Sequence, residues 1–167
     1  MADEASDEAA WLEKIRQSGI RVDREGHFVH DCAEVAHAGF KRALYRWLDR
    51  LPPPDGRYVL RLDDHRFAYL EVDDTPLVAR AARVDAAGRP FLALSDGSEE
   101  PLAPETLTID AAGVLYAWVR GGKLEARLAS SAAAALADLL SEAGGPQQLP
   151  QLRFAGRSYV LRPRSAT

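Results

Sequence analysis

The 167-residue chain is 47% hydrophobic and 28% charged, proportions that suit a globular protein able to bury a sizeable core. Its net charge of -4 resides in Asp3, Glu4, Asp7 and Glu8, and beyond them acids and bases balance. That balance excludes the basic footprint of a duplex nucleic-acid binder and the polybasic patch of a membrane-surface protein. No apolar run reaches the roughly 18 residues of a spanning helix, and the acidic N-terminus is unlike a signal peptide. One cysteine, Cys32, forms no internal disulfide, so the expected compartment is the cytoplasm.

Residues 1–18 read as an acidic tail followed by a short amphipathic helix carrying Trp11, Leu12 and Ile15, ended by Gly19. Residues 20–30 predict two strands around the turn Asp23-Arg24-Glu25-Gly26. From His37 to Leu51 the period becomes helical, with Phe40, Leu44, Trp47, Leu48 and Leu51 on one stripe and Pro52-Pro53-Pro54 as the stop. Residues 57–62 alternate as a half-buried strand that turns at Asp63-Asp64-His65 and returns over 66–72.

Thr75-Pro76 opens a further extended stretch, followed by turns at Val84-Asp85-Ala86-Ala87-Gly88 and Asp96-Gly97. Residues 114–119 are almost wholly apolar and read as a central strand. After Gly121-Gly122, Leu124, Ala126 and Leu128 should face inward and Lys123, Glu125 and Arg127 outward. Ser130 or Ser131 should cap a second helix bearing Leu136, Leu139 and Leu140, stopped by Gly144-Gly145-Pro146. A last hairpin occupies 152–162, around Ala155-Gly156.

A pattern occurs twice. Val22-Asp23-Arg24-Glu25-Gly26 and Gly56-Arg57-Tyr58-Val59-Leu60-Arg61 pair with Ile109-Asp110-Ala111-Ala112-Gly113 and Gly156-Arg157-Ser158-Tyr159-Val160-Leu161-Arg162. This predicts an α+β fold of two similar units, each of short, mostly antiparallel strands with one helix. The units are placed at 19–76 and 77–167, packed as one body.

Several residue groups carry potential chemistry. His27, His30, Asp31, Cys32, Glu34 and His37 crowd together and are all metal-ligand types, which admits a metal-dependent enzyme. Against that, His27 and His30 point to opposite faces of a strand, and no Cys-x-x-Cys or His-Glu-x-x-His spacing organises them. Asp63, Asp64, Asp73 and Asp74 flank one strand as two acidic pairs, suited to Mg²⁺ or, more plainly, to turn chemistry. Arg120-Gly121-Gly122-Lys123 with Arg127 combines bare backbone N–H groups and positive charge, which suits an anion; it also reads simply as a tight hairpin. No Gly-x-Ser-x-Gly elbow supports a serine hydrolase.

Gly26-His27-Phe28, Asp55-Gly56-Arg57-Tyr58, Glu71-Val72-Asp73-Asp74-Thr75-Pro76, Leu94-Ser95-Asp96-Gly97 and Val119-Arg120-Gly121-Gly122-Lys123-Leu124-Glu125-Ala126-Arg127-Leu128 follow one another in order. Together they resemble DUF1285, a bacterial family of unknown function, over residues 19 to 162. The resemblance implies a duplicated α+β core whose second half is similar to pleckstrin-homology-like folds. It also implies a ligand site between the halves, with a nucleotide as one candidate, and a role in signal transduction.

The resulting expectation is a non-enzymatic protein that binds a small anionic ligand between its units, without a cofactor or metal. Arg57 and Arg61 would present charge from one strand face, and Arg120, Gly121, Gly122, Lys123 and Arg127 would add donors. Asp73 would orient one of the arginines or a ligand hydroxyl. Arginine suits the task because its planar fork holds two oxygens of one anion. The alternative expectation is a protein–protein interaction module with no small ligand.

Overall fold

The computed structural model describes residues 13–14, 16–141 and 149–165. The acidic tail, the Trp11-Leu12-Ile15 helix face and the Gly144-Gly145-Pro146 stop lie outside them. The chain divides into two compact units, residues 1–76 and 77–167. Both are built from short strands and α-helix, an α+β architecture. No helix among the described residues is long and apolar enough to cross a membrane.

The first unit holds β1 (Gln17–Val22), β2 (Phe28–His30), β3 (Ala33–Glu34), helix α1 (Ala38–Trp47), β4 (Leu48–Arg50), β5 (Tyr58–Arg61) and β6 (Phe67–Val72). These strands form one sheet in the order β3-β2-β1-β6-β5-β4. Two antiparallel meanders, β1 to β3 and β4 to β6, join through a parallel pairing of β1 with β6. The core gathers Val22, Phe28, Leu44, Leu48, Val59 and Leu60, and the Phe28 and Tyr45 rings meet edge-on at 4.8 Å. Burying each such side chain contributes about 1.5–3 kcal/mol.

Helix α1 begins where the sequence places it, because the His37 Nδ1 accepts a hydrogen bond from the Phe40 N–H at 3.1 Å. It ends at Trp47, short of the predicted Leu51. Leu48 turns extended and pairs with Leu60 across β4 and β5, so it enters the core from a strand and not from a helix. Phe40, on the predicted apolar stripe, stays 42% exposed.

The second unit continues with β7 (Leu77–Val84), β8 (Pro90–Leu94), β9 (Glu99–Pro101), a 3-10 turn (Pro104–Thr106), β10 (Thr108–Ile109), β11 (Leu115–Val119), β12 (Leu124–Leu128) and helix α2 (Ser130–Ala135). A second 3-10 turn (Ala137–Leu139) leads to β13 (Leu140–Ser141), β14 (Gln151–Phe154), β15 (Arg157–Val160) and β16 (Arg162–Pro163). Its main sheet runs β16-β10-β11-β12-β7-β8-β9, and β13-β14-β15 form a separate small sheet. Here too two meanders, β7 to β9 and β10 to β12, join through a parallel pair, β7 with β12.

The two units therefore repeat one topology, but in a different register from the one the motifs indicate. The β1–β2 turn at Asp23 corresponds to the β7–β8 turn at Asp85. The Asp110 turn joins β10 to β11, and Gly156 lies in the small sheet. Local chemistry explains the misdirection. In all three turns the Asp Oδ1 accepts the backbone N–H four residues on, from His27, Arg89 and Val114 at 2.8, 2.9 and 2.9 Å. The glycine N–H closes each turn on the Asp carbonyl, and Gly26, Gly88 and Gly113 adopt φ of +82°, +78° and +81°. Asp-x-x-Gly is thus a portable hairpin device, and recurs wherever such a turn is wanted.

Two further expectations change. Helix α2 stops at Ala135 despite the following apolar residues, since Leu136 is fully buried and Leu140 passes into β13. Neither serine caps it by side chain: Ala129 is the N-cap, and Ser131 Oγ donates to the Arg80 carbonyl at 2.6 Å, tying the helix to β7. Glu125, read as outward-facing, is buried on the central strand β12 between β11 and β7. The Arg164 guanidinium grips both its oxygens at 3.1 and 2.8 Å while stacking 3.7 Å above the Tyr116 ring. This clamp fixes the chain beside β16 against the main sheet.

A buried carboxylate stripped of its partner is expensive. Arg164→Ala is expected to destabilise the protein by about 3 kcal/mol in urea unfolding, and Glu125→Leu with Arg164→Leu to recover most of that loss. Equal losses in the single and double variants would show that the pair itself, and not its desolvation, stabilises this unit.

Candidate functional site

The predicted site residues fall into two groups, one in each unit. In the first unit, strand alternation places Arg57, Val59 and Arg61 on one side of the sheet. The register sets Tyr69 opposite Val59 and Phe67 opposite Arg61 on β6. Guanidinium groups therefore lie against aromatic rings: Arg57 is 3.9 Å from the Tyr69 centroid, Arg16 is 4.2 Å from Phe67, and Arg61 is 5.5 Å from Phe67. Such contacts order the flexible arginine chains and favour charge at the ring face.

Carboxylates hold two of these arginines. Asp49 accepts from Arg61 Nε at 2.6 Å. Asp55 takes Arg57 through Nε and Nη2 at 2.9 and 2.8 Å, a two-point fork. The remaining terminal nitrogen of Arg57, Nη1, donates to Glu13 Oε1 at 2.6 Å, and the Tyr69 hydroxyl donates to Glu13 Oε2 at 2.9 Å. The Arg57 and Tyr69 hydrogen bonds hold the Glu13 carboxyl below its usual range, and the Asp55 and Glu13 hydrogen bonds raise the pKa of Arg57. Asp73 meets neither Arg57 nor Arg61: its carboxylate pairs with Arg21 at 2.7 Å.

In the second unit Arg120 opens the β11–β12 turn at φ +50°, followed by Gly121 and Gly122 at +66° and +82°. The turn consumes most of its own donors. Arg120 N–H donates to Glu100 Oε1, Gly122 N–H to the Val119 carbonyl and Lys123 N–H to the Arg120 carbonyl. The Arg120 guanidinium bonds to Asp96 at 2.5 Å, and the Asp96 side chain is only 6% exposed. The main sheet curls enough to bring the β8–β9 and β11–β12 turns together. Lys123 is exposed, with no ion pair among the described residues, and Arg127 is half-buried on β12 opposite Tyr116.

The histidine cluster disperses into local tasks. His27 bonds to Asp23, His30 lies 3.4 Å from Asp31, His37 caps α1, and Glu34 pairs with Lys41. Cys32 is exposed, in a turn where Asp31 and Cys32 both take positive φ. Among the described residues no three His, Cys, Asp or Glu side chains converge to hold a metal ion. Asp63 is a turn residue that accepts from the His65 and Arg66 backbones. Sequence reasoning missed an open groove of about 430 Å³ in the first unit, with Ile20, Val35 and Phe40 as apolar walls and His30 and Ser18 beside them.

Comparison with solved structures places this architecture. A DUF1285 family protein from Silicibacter pomeroyi superposes with a TM-score of 0.70 at 21% identity, over 87% of this chain and 80% of that one. The chain has the DUF1285 fold. A second DUF1285 protein, from Shewanella baltica, gives a TM-score of 0.59 at 15% identity, over 72% of this chain and 91% of its own. No family model matches the sequence, and no curated protein is similar to it. The likeness to DUF1285 proteins is one of backbone course; the arginine and carboxylate partners above are read from this chain alone.

Burial pushes the Asp96 carboxyl up, but hydrogen bonds from Ser98 and Arg120 outweigh it and hold the group below its ordinary value of 3.8. A depressed folded pKa adds stability above the unfolded value and loses it as pH falls through the folded one. The stability gap between wild type and Asp96→Asn should therefore be full at neutral pH and close between about pH 5 and pH 2. Urea unfolding at a series of pH values reads this directly; a gap unchanged at acid pH would remove the charged Asp96–Arg120 pair from the account.

Proposed function

We propose that this chain is a non-enzymatic binding protein that takes a small anionic ligand, with the arginine face of the first unit as its recognition surface. One observation carries the reading: Arg57 and the Tyr69 hydroxyl already grip an anion, the Glu13 carboxylate, at an exposed position. Two donors converge on the two oxygens of one group, and the guanidinium is held in plane by Asp55 and laid over the Tyr69 ring. Preorganised donors of this kind favour binding because little side-chain freedom is lost when the anion arrives.

Arg120 to Lys123 supports the reading less. Its turn spends its backbone donors internally, Glu100 and Asp96 occupy Arg120, and Lys123 alone offers uncompensated charge. Asp49 compensates Arg61, and Asp73 acts on Arg21 rather than on the arginines of the face. The interaction-module alternative has one observation in its favour, the groove walled by Ile20, Val35 and the exposed Phe40.

Isothermal titration at low ionic strength with inorganic phosphate, ATP and citrate tests the proposal. At least one probe should bind, and Arg57→Ala should weaken it about tenfold or more, the size of one lost charge-assisted hydrogen bond. Lys41→Ala, on helix α1 and paired with Glu34, should leave the affinity unchanged. Binding that ignores Arg57→Ala would move the site elsewhere, and no binding by any probe would end the anion reading.

A further inference from the structure

The occupant of the Arg57–Tyr69 pair carries information of its own. We propose that Glu13 is an internal stand-in for the ligand, and that the ligand of this site is a carboxylate which displaces it. The inference rests on the anion-binding reading and narrows it to a ligand class and a means of competition.

The geometry seats one planar, two-oxygen group. Arg57 Nη1 takes one oxygen of Glu13 and Tyr69 the other, at 2.6 and 2.9 Å. The Tyr69 oxygen in turn accepts from Arg57 Nη2 at 3.0 Å, so guanidinium and phenol act as one donor unit. Asp55 holds the opposite edge of the guanidinium and leaves Nη1 aimed at the site.

Glu13 is held weakly enough to leave. Both members of the Arg57–Glu13 pair are nearly half exposed, and ion pairs in that setting are weak. Beyond Glu13 the Tyr69 N–H bonds to the Arg16 carbonyl at 2.7 Å, and β1 begins its parallel run along β6. Glu13 lies four residues ahead of that pairing, since β1 begins at Gln17. When it swings away, it releases the Arg57 Nη1 and Tyr69 hydroxyl donors that it occupied. Asp49 and Asp55 answer Arg61 and Arg57, while Arg16, over the Phe67 ring, has no carboxylate partner among the described residues.

An internal occupant lowers apparent affinity by the fraction of molecules in which the site is open. Removing it restores the intrinsic value. The test titrates citrate, an acetylated hexaglutamate peptide and ATP into full-length wild type and Glu13→Ala, and follows the Glu13 carboxyl carbon by NMR in the wild type. Citrate should bind Glu13→Ala about fivefold more tightly than wild type, ATP should gain little, and citrate should shift the wild-type Glu13 signal toward that of a free glutamate with the same midpoint. The same gain for the peptide and not for citrate would support the site with a protein side chain as its carboxylate source.

Equal gains for citrate and ATP would overturn the carboxylate class, because the site would then read charge alone. Probes that bind wild type and Glu13→Ala with one affinity, leaving the Glu13 signal unmoved, would overturn the stand-in while the anion-binding reading survives. Silence from every probe with both proteins would bring down that reading and this inference together.

Discussion

Each unit depends on one long-range pairing. β1 meets β6, and β7 meets β12, side by side and in parallel at the middle of their sheets. Every other strand of the first unit is reached through a short antiparallel turn, and the meanders β7 to β9 and β10 to β12 repeat that arrangement. Without the parallel pair each meander would be a three-stranded ribbon with an exposed edge and half a core, and isolated ribbons of that size are marginal in water. The pairing buries Leu77, Ala79 and Ala126 completely and sets Val22 beside Val72. Function inherits the constraint. Arg21 and Asp73 can meet, and Glu13 can reach Arg57 and Tyr69, only because β1 lies along β6.

Electrostatics divide the arginines by environment. Arg164 and Arg120 sit against largely buried carboxylates, Glu125 and Asp96, and there the charge pair is part of the architecture: remove one member and the other is stranded in a poor dielectric. Arg57, Arg16 and Arg61 lie over aromatic rings of the first unit, and the Arg57–Glu13 pair there is nearly half exposed. The same side chain thus serves as a structural clamp in one unit and as a candidate recognition element in the other. Burial of its partner makes the difference, since screened pairs exchange readily and buried ones do not.

The candidate site was legible in part. Alternation over residues 57–62 placed Arg57 and Arg61 on one strand face, because period-2 geometry is a property of the backbone. What the sequence could not say was which groups answer those arginines. Asp55 is two residues from Arg57, but Glu13 is 44 residues away, and nothing in either neighbourhood marks them as partners. The glycines of Arg120-Gly121-Gly122-Lys123 looked like free donors because a sequence shows N–H groups and not their acceptors. The fold supplies those acceptors from the turn itself and from Glu100.

By itself the sequence determined what five or six neighbouring residues can settle. It set the Asp-x-x-Gly turns, the alternating strands, the start of α1 at His37 and the existence of two similar units, since hydrogen bonds within a turn and the spacing of apolar residues are local. It misjudged Glu125, because alternation assumes one wet face, and Arg164 covers that face of β12 from 39 residues away. It also paired the repeats out of register, since a turn motif reports a bend and not the strands that the bend connects. Tertiary structure alone decided the parallel pairings, the end of α1 at Trp47, the Glu125–Arg164 clamp across 39 residues and the seat of Glu13 on Arg57. Each of these couples distant segments whose contact becomes favourable only after the sheet between them has formed.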